Sequence, residues 1–285
     1  METKPANPPR AKVSILDLQT KTEKGERFTM VTAYDYPTAV IVDKAGIDVI
    51  LVGDSLAMVV LGLPNTVSVT MDEMLHHCRA VARGAQHPLL VGDMPFMSYQ
   101  VDTKEAVHNA GRFLKEGNMD VVKLEGGIKM APVTKAIVDA GIPVMGHIGL
   151  TPQTVSKLGG FKVQGKDASA AQQLVEDALA LEEAGCFSIV LEAIPDRLAK
   201  LISQKLTIPT IGIGAGPDCD AQVLVTHDMV GLFDRFTPKF VKRYINIHEQ
   251  MVEALQQYKA EVEEGSFPGP EHCFTIKDDV LEQLY

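Results

Sequence analysis

The sequence lacks the cysteine and hydrophobic patterns of several protein classes. Its four cysteines, Cys78, Cys186, Cys219 and Cys273, lie far apart and form no C-x-x-C pair. This spacing favours reduced thiols in a cytoplasmic protein over disulfides or a zinc site. No apolar run approaches the roughly 18 residues of a membrane span, and the opening METKPANPPR has no apolar signal segment. We therefore expect neither a membrane anchor nor a secretory signal.

Positive charge is also scarce. The chain has 27 Lys and Arg against 37 Asp and Glu, which gives a net charge of −10. Because such a protein repels phosphate backbones, nucleic acid is not an expected partner. The composition is otherwise that of a globular protein, and the length of 285 residues suits one α/β barrel domain. We predict a flexible, proline-containing extension over residues 1–11 and a single domain over residues 12–285.

Short apolar runs alternate with helical patterns along the chain. The predicted strands cover residues 28–34, 48–54, 88–94, 120–126, 142–149, 187–193 and 208–214, with a weaker one at 223–231. The predicted helices between them cover residues 37–45, 71–83, 103–115, 131–140, 169–184 and 195–205. Repeated βα units with strands rich in Val, Ile and Leu predict a (β/α)8 TIM barrel, with an open doubly wound sheet as the alternative. A C-terminal helical extension is predicted over residues 238–264.

Two predicted strands end in the same way, with ILVGDS closing on Asp54 and Ser55 and LLVGDM closing on Asp93 and Met94. In a parallel barrel these ends lie side by side at one rim. Two close carboxylates in a low dielectric need a proton or a cation between them. Oxygen ligands suit Mg²⁺, so the pair predicts a magnesium site, and Glu125 on the next strand could bind a metal-bound water. The alternative is that each aspartate caps the loop or helix that follows it.

More polar residues end the later strands. Lys123 and Glu125 flank Leu124, so they share the inner face of their strand. Lys123 would bind a substrate carboxylate or pair with a neighbouring acid. Glu192 follows the apolar run SIVL and would act as a general base, or instead pair with Lys123. His147, in GHIGLTP, is either structural or part of the site.

Two glycine-rich stretches carry weaker signals. GIGAGPD, at residues 212–218, follows the seventh predicted strand but is not G-x-G-x-x-G, because Pro217 stands where the last glycine is needed. It indicates a tight turn beside a ligand at least as strongly as a phosphate site. KLGGFKVQG, at residues 157–165, predicts a mobile rim loop that covers the site.

Eleven stretches follow one another along about residues 12–275. They are MVTAYDYPTA, VGDSLAMV, GDMPFMSY, VKLEGG, GHIGLTPQ, GGFKVQGK, LEAIP, IGIGAG, HDMVGL, PKFVKRY and FPGPEHCF. In this order they resemble the ketopantoate hydroxymethyltransferase family. The resemblance implies a (β/α)8 barrel, assembly as a homodecamer, and transfer of a hydroxymethyl group from 5,10-methylenetetrahydrofolate to 3-methyl-2-oxobutanoate. The product, ketopantoate, would form through a Mg²⁺-stabilised enolate in pantothenate and coenzyme A biosynthesis.

The resemblance also implies roles for individual residues. The matching positions are Asp54 and Asp93 as Mg²⁺ ligands, Glu125 near the metal, Ser55, Asp93 and Lys123 as substrate contacts, Glu192 as the base, and His147 as a site histidine. The folate position is left open, with FKVQGK, Arg197, Lys200 and Lys205 as possible basic contacts.

Two other functions fit a barrel with polar strand ends. One is a Mg²⁺-dependent lyase or mutase like the phosphoenolpyruvate mutase and isocitrate lyase group, although no KKCGH-type catalytic loop is present. The other is a non-enzymatic barrel that binds a small acid or phosphate. Such a binder needs a carboxylate clamp but no base opposite a metal.

Overall fold

The computed structural model describes residues 10–154, 160 and 162–284. The predicted flexible extension therefore lies outside the described residues, apart from its last two. Of these, Arg10 donates a hydrogen bond of 3.0 Å from Nη1 to the Asp43 carbonyl. Residues 157–159 and 161 of the predicted rim loop also lie outside the described residues.

Eight parallel strands form a closed barrel in chain order. They are β1 (Phe28–Thr32), β2 (Val49–Val52), β3 (Leu89–Asp93), β4 (Val121–Glu125), β5 (Val144–Gly149), β6 (Ser188–Glu192), β7 (Thr210–Ile213) and β8 (Ala221–Leu224). The last strand pairs with the first through Phe28–Val31 and Ala221–Leu224. The predicted (β/α)8 barrel is confirmed, and the open doubly wound sheet is wrong.

Eleven helices lie within the described residues, and those between the strands pack against the outside of the barrel. They are α1 (Ile15–Glu23), α2 (Tyr36–Lys44), α3 (Leu56–Val59), α4 (Met71–Gly84), α5 (Thr103–Lys115), α6 (Ala131–Asp139), α7 (Ala168–Glu183), α8 (Asp196–Lys205), α9 (Thr226–Met229), α10 (Ile247–Glu264) and α11 (Asp278–Leu281). Short 3₁₀ turns occupy Ile128–Met130, Pro152–Thr154, Pro270–His272 and Glu282–Leu284. No described helix is long and apolar enough to cross a membrane.

Alternation along each strand separates two apolar layers. On β4, Val121 packs in the cluster that fills the barrel interior, whereas Val122 and Leu124 pack between the sheet and the helices. Lys123 and Glu125 therefore point inward above Val121, as predicted. On β3 the outer layer approaches so closely that a Cβ on Gly92 would lie 2.3 Å from Phe113 of α5. A glycine before Asp93 is thus required by helix packing.

Helix α1 closes the N-terminal end of the barrel. Ser14 and Asp17 form a capping box at its start, in which Ser14 accepts a hydrogen bond from the Asp17 backbone and Asp17 accepts one from the Ser14 backbone. Its Leu18 is fully buried within the interior cluster. Burial of such a leucine stabilises the fold by about 1.5–3 kcal/mol. The layer beneath the charged strand-end residues is therefore largely apolar, and Ser188 is a buried polar side chain on the same face of β6 as Val190.

The end of the barrel differs from prediction at β8. The predicted strand continued to residue 231, but β8 ends at Leu224 and α9 follows. The Thr226 backbone N–H donates to Thr32 Oγ1, and the Thr226 hydroxyl donates to the Thr32 carbonyl. These contacts with the end of β1 turn the chain away from the sheet.

The C-terminal helix begins later than predicted. It was expected from residue 238, whereas α10 begins at Ile247. The preceding segment is held by backbone hydrogen bonds to the turn after α9, from Tyr244 to Met229 and from Ile247 to Val230, at 2.8 and 2.9 Å. These long-range bonds replace the local bonds of a helix. A C-terminal helix is present, but it is shorter than the sequence indicates.

Candidate active site

A cavity of about 350 Å³ opens at the C-terminal end of the barrel strands. Five charged or titratable side chains lie at its base, which we call the floor: Asp54, Asp93, Lys123, Glu125 and His147. Each of these residues is at most 5% exposed. Ser55 and Glu192 also line the cavity. All seven residues singled out in the sequence thus border one space.

Asp54 and Asp93 are joined through the backbone. The Asp54 N–H donates a hydrogen bond of 3.1 Å to Asp93 Oδ2. Asp93 ends β3, and Asp54 lies two residues beyond the end of the neighbouring β2. The two carboxylates therefore belong to one site, as the repeated Gly-Asp ending predicted. Neither caps the helix that follows, since Ser55 precedes α3 without a side-chain cap and Asp102 caps α5.

Both aspartates are poorly disposed to ionise. Burial raises the pKa of Asp54 well above its usual value, and repulsion from Asp93 and Glu125 raises it further. Burial also raises the pKa of Asp93, although the nearby Lys123 ammonium partly opposes this. The site therefore favours a positive charge beside these carboxylates.

Lys123 pairs with Asp93 because the two residues are register partners on adjacent strands. Its Nζ lies 2.7 Å from Asp93 Oδ1. Burial would lower the pKa of Lys123, but Asp93, Glu125 and Asp54 outweigh this and raise it. The sequence left two ion pairs of Lys123 open, one with a neighbouring acid and one with Glu192. Lys123 pairs with Asp93, whereas Glu192 lies against His147.

His147 lies between two acids. Its Nδ1 is 3.4 Å from Glu125 Oε1, and its Nε2 is 3.2 Å from Glu192 Oε2. Burial and Lys123 would lower the pKa of His147, but the acids Glu125 and Glu192 on either side of the ring raise it to about 9. An imidazolium therefore holds Glu192 in place at neutral pH. The backbone of Glu192 is fixed as well, since its carbonyl accepts a 2.9 Å hydrogen bond from Leu150.

Gln153 was not expected from the sequence, although it ends the stretch GHIGLTPQ. Its Nε2 donates to Asp54 Oδ2 at 3.0 Å, and its backbone N–H donates to Glu125 Oε2 at 3.1 Å. Tyr99, the last residue of GDMPFMSY, donates to Gln153 Oε1 at 2.6 Å. These residues orient the acids of the floor. Ser55 has a similar neighbour, because its Oγ lies 2.8 Å from the hydroxyl of the buried Tyr34.

The donor set of the floor suits a divalent cation. Four acids, Asp54, Asp93, Glu125 and Glu192, lie with only two basic side chains, Lys123 and His147. No three His, Cys, Asp or Glu side chains within residues 10–154, 160 and 162–284 converge as a protein-only metal site. Mg²⁺ commonly takes only one or two carboxylates and completes its shell with water and substrate oxygens. Asp54 and Asp93 fit that pattern, whereas both Glu125 oxygens already face protein groups.

The basic residues suggested for folate divide into two groups. Lys162, from FKVQGK, lines the cavity. Lys200 instead pairs with Asp218 at 3.3 Å, and neither Arg197 nor Lys205 is among the described residues that line this cavity.

Comparison with known proteins identifies relatives along nearly the whole chain. The model of the family described as ketopantoate hydroxymethyltransferase matches residues 12–270. A 3-methyl-2-oxobutanoate hydroxymethyltransferase of Syntrophomonas wolfei is 57% identical over 275 residues, which cover 96% of this chain and all of the relative.

Solved structures share the fold at much lower identity. A phosphonopyruvate hydrolase, in complex with oxalate and Mg²⁺, is 15% identical with a TM-score of 0.61 and covers 95% of both chains. A 2,3-dimethylmalate lyase of the PEP mutase/isocitrate lyase superfamily is 14% identical with a TM-score of 0.56, covering 95% of this chain and 93% of its own. At these identities the likeness concerns the barrel alone.

Proposed function

The chain belongs to the ketopantoate hydroxymethyltransferase family, and from this premise we propose the reaction in detail. The enzyme transfers a hydroxymethyl group from 5,10-methylenetetrahydrofolate to 3-methyl-2-oxobutanoate, giving ketopantoate for pantothenate and coenzyme A biosynthesis. The observation that carries the proposal is the placement of Glu192 on β6, across the barrel from Asp54 and Asp93 beside β2 and β3. A small oxo acid between them has a carboxylate pair on one side and a base on the other.

Lys123 and Ser55 hold the carboxylate of the oxo acid. The Lys123 ammonium is buried, and a second anion brought beside it forms a strong charge-assisted contact. The Ser55 hydroxyl, oriented by Tyr34, supplies a neutral donor. Together they fix which face of the substrate is turned towards β6.

Asp54 and Asp93 would hold Mg²⁺, with Glu125 close to it. When bound there, the ion acts as a Lewis acid that favours negative charge on the keto oxygen. Gln153 keeps the Asp54 carboxylate oriented, and one Asp54 oxygen, Oδ1, has no hydrogen-bond partner among the described residues. The protein thereby presents an oxygen donor towards the cavity.

Glu192 accepts the proton from C3 of the oxo acid. The His147 ring lies 3.2 Å from Glu192 Oε2 and orients this side chain. His147 is thus a positioning residue. Its other ring nitrogen contacts Glu125, so His147 links the base to the acid that would lie near the metal.

Exchange of the C3 proton with solvent deuterium tests the base. Glu192→Gln should retain binding of the oxo acid and lower the exchange rate by about 10²–10⁴-fold, the usual contribution of a general base. NMR measures the exchange, and Glu176→Gln on the outer helix α7 is the matched control. Exchange at the wild-type rate in Glu192→Gln would assign the base to another residue.

Binding of the oxo acid tests the metal ligands. Calorimetric titration with 3-methyl-2-oxobutanoate should show binding that requires Mg²⁺ and is lost in Asp54→Ala and in Asp93→Ala. Asp139→Ala, which removes only a surface ion pair with Lys135, should bind as the wild type. Equal binding with Mg²⁺ and with a chelator would contradict the metal assignment.

Product analysis separates the alternatives. A lyase or mutase would cleave a four-carbon acid or a phosphonate and leave ketopantoate intact, whereas the proposed enzyme catalyses retro-aldol cleavage of ketopantoate. A protein that only binds acids would give no deuterium exchange. The shared barrel does not favour either alternative over the family reaction, since it hosts many chemistries.

Helix α10 supports the homo-oligomer, a decamer by family resemblance. Met251, Leu255, Tyr258 and Val262 form one stripe along this helix, and each is at least 45% exposed. A stripe of this kind is covered in an assembly. Sedimentation equilibrium should therefore give a mass that is a multiple of the chain mass, and Leu255→Glu should reduce it.

A further inference from the structure

The cavity has a second half whose chemistry the oxo acid does not use. Above the floor, the lining changes to three phenylalanines: Phe233, Phe236 and Phe240. The charged side chains at this level are Lys162, Lys239 and Asp228. We call these six residues the mouth. Its two lysines face the cavity in a chain whose net charge is −10.

The cavity has room for a second ligand beside the oxo acid. Its volume of about 350 Å³ lies within the range that accommodates drug-sized ligands. An acid of five carbons held at the floor leaves the mouth unfilled. A ligand that reacts with this acid must also approach through the mouth, because the interior beneath the floor is packed with apolar side chains.

Two of the stretches that resemble the family have no catalytic role and contribute residues to the mouth. HDMVGL contributes Asp228, and PKFVKRY contributes Lys239 and Phe240. The hydrogen bonds between Tyr244 and Met229 and between Ile247 and Val230 tie these stretches together. The same bonds interrupt the expected start of the C-terminal helix.

Asp228 is a buried acid without a partner. It lies on α9 with 9% of its surface exposed, and no described residue donates a hydrogen bond to its carboxylate. Burial raises its pKa to about 6, despite a lowering effect of Arg243. A carboxylate in this position can accept two parallel hydrogen bonds from a ligand.

We propose that the mouth is the binding site of the folate donor, an inference that rests on the proposed function. Asp228 accepts two N–H groups from the aminopyrimidinone end of the pterin. The phenylalanines pack against the pterin and the aminobenzoyl ring. Lys162 and Lys239 bind the glutamate carboxylates of the tail. This arrangement carries the one-carbon unit to the space directly above the floor.

Direct titration with tetrahydrofolate under anaerobic conditions tests the site. Asp228→Asn and Phe236→Ala should each weaken tetrahydrofolate binding about 5- to 50-fold by calorimetry, with a matching rise in the KM for the donor. Phe236 is 65% exposed, so its truncation leaves the core intact. Lys162→Gln with Lys239→Gln should weaken a polyglutamylated donor more than a monoglutamylated one.

Deuterium exchange at C3 of the oxo acid provides an independent readout. It uses the floor, Ser55 and Glu192 and no residue of the mouth, so all mouth variants should exchange at the wild-type rate. Phe274→Ala and Lys135→Gln, at exposed positions outside the mouth, should leave both binding and exchange unchanged.

Three outcomes would overturn the inference. If the wild type forms ketopantoate and exchanges deuterium while Asp228→Asn and Phe236→Ala bind tetrahydrofolate normally, the donor binds elsewhere and the proposed function stands. The same holds if Phe236→Ala changes only the sedimentation mass, which would make the phenylalanines a contact between copies of the chain. If the wild type neither forms ketopantoate nor exchanges, both proposals fail.

Discussion

The two ends of the barrel use aspartates in opposite ways. At the N-terminal end, an aspartate stands directly before each of β2, β4 and β8. Each accepts a hydrogen bond from a backbone N–H of the strand before it: Asp48 from Thr29, Asp120 from Leu90 and Asp220 from Thr210. At the C-terminal end, Asp54 and Asp93 crowd together above the interior. The same residue type therefore stabilises strand pairing at one end and stores electrostatic repulsion at the other.

The pKa values express this contrast. Burial alone would raise the pKa of Asp48, but hydrogen bonds from Lys21 and Thr29 outweigh burial and lower it. At Asp54, burial and neighbouring acids all act in the raising direction. The aspartates at the N-terminal end, here called the lower end, thus stabilise the fold. Those at the C-terminal end, here called the upper end, destabilise it but form a charged site, as expected for a barrel of this type.

Asp93→Asn should give the largest effect at the upper end. It breaks the ion pair with the buried Lys123. Breaking a buried pair costs up to about 3–5 kcal/mol, and the cost is reduced here because Glu125 and Asp54 remain near the ammonium. Urea denaturation followed by circular dichroism measures the loss, since the chain has no tryptophan. Asp120→Asn is the matched change at the N-terminal end. It should cost only about 1 kcal/mol, because it loses one hydrogen bond from Leu90 and a partly exposed ion pair with Lys12. Equal losses would remove the distinction between the ends.

Asp48→Asn should destabilise the fold by about 1–2 kcal/mol through its hydrogen bonds to Thr29, with kcat unchanged. Because the folded pKa of Asp48 is lowered, its contribution is present above the unfolded value of about 4. That contribution disappears as the pH falls through the folded value. The difference between wild type and variant should therefore narrow in acid. A constant difference down to low pH would show that ionisation of Asp48 is not the cause.

Asp54→Asn should have the smallest effect on stability and the opposite sign. A raised carboxylate pKa means that ionisation above pH of about 4 opposes folding, and asparagine cannot ionise. Its amide oxygen can still accept the Gln153 hydrogen bond. In a chelator, the variant should be more stable than wild type by on the order of 1 kcal/mol and should lack activity. A loss of stability would show that the contacts of the Asp54 carboxylate in the folded protein outweigh the cost of its burial and of repulsion by neighbouring acids.

The fold was largely predictable because each strand and helix carries its own pattern. Thr103–Lys115 was predicted and found with the same bounds, and β4 differs from its prediction by one residue at each end. The failures at residues 225–231 and 238–246 have a common cause. Both segments bond to partners distant in sequence, such as Thr32 and Met229, and local periodicity does not report such contacts.

Candidate site residues at strand ends were predictable for the same reason, since parallel strands bring their ends to one rim. Gln153 and Asp228 were not assigned roles. Gln153 reaches Asp54 across 99 residues of sequence, and Asp228 lies in a short helix that was predicted as strand. A lone glutamine or aspartate outside a strand end has no periodic signal to identify it.

Helix α1 and its buried Leu18 close the N-terminal end of the barrel, so the cavity opens at the C-terminal end. Among the described residues, the mouth lies between the floor and solvent. Under the proposed function, the oxo acid would therefore bind before the donor, and ketopantoate would leave after tetrahydrofolate.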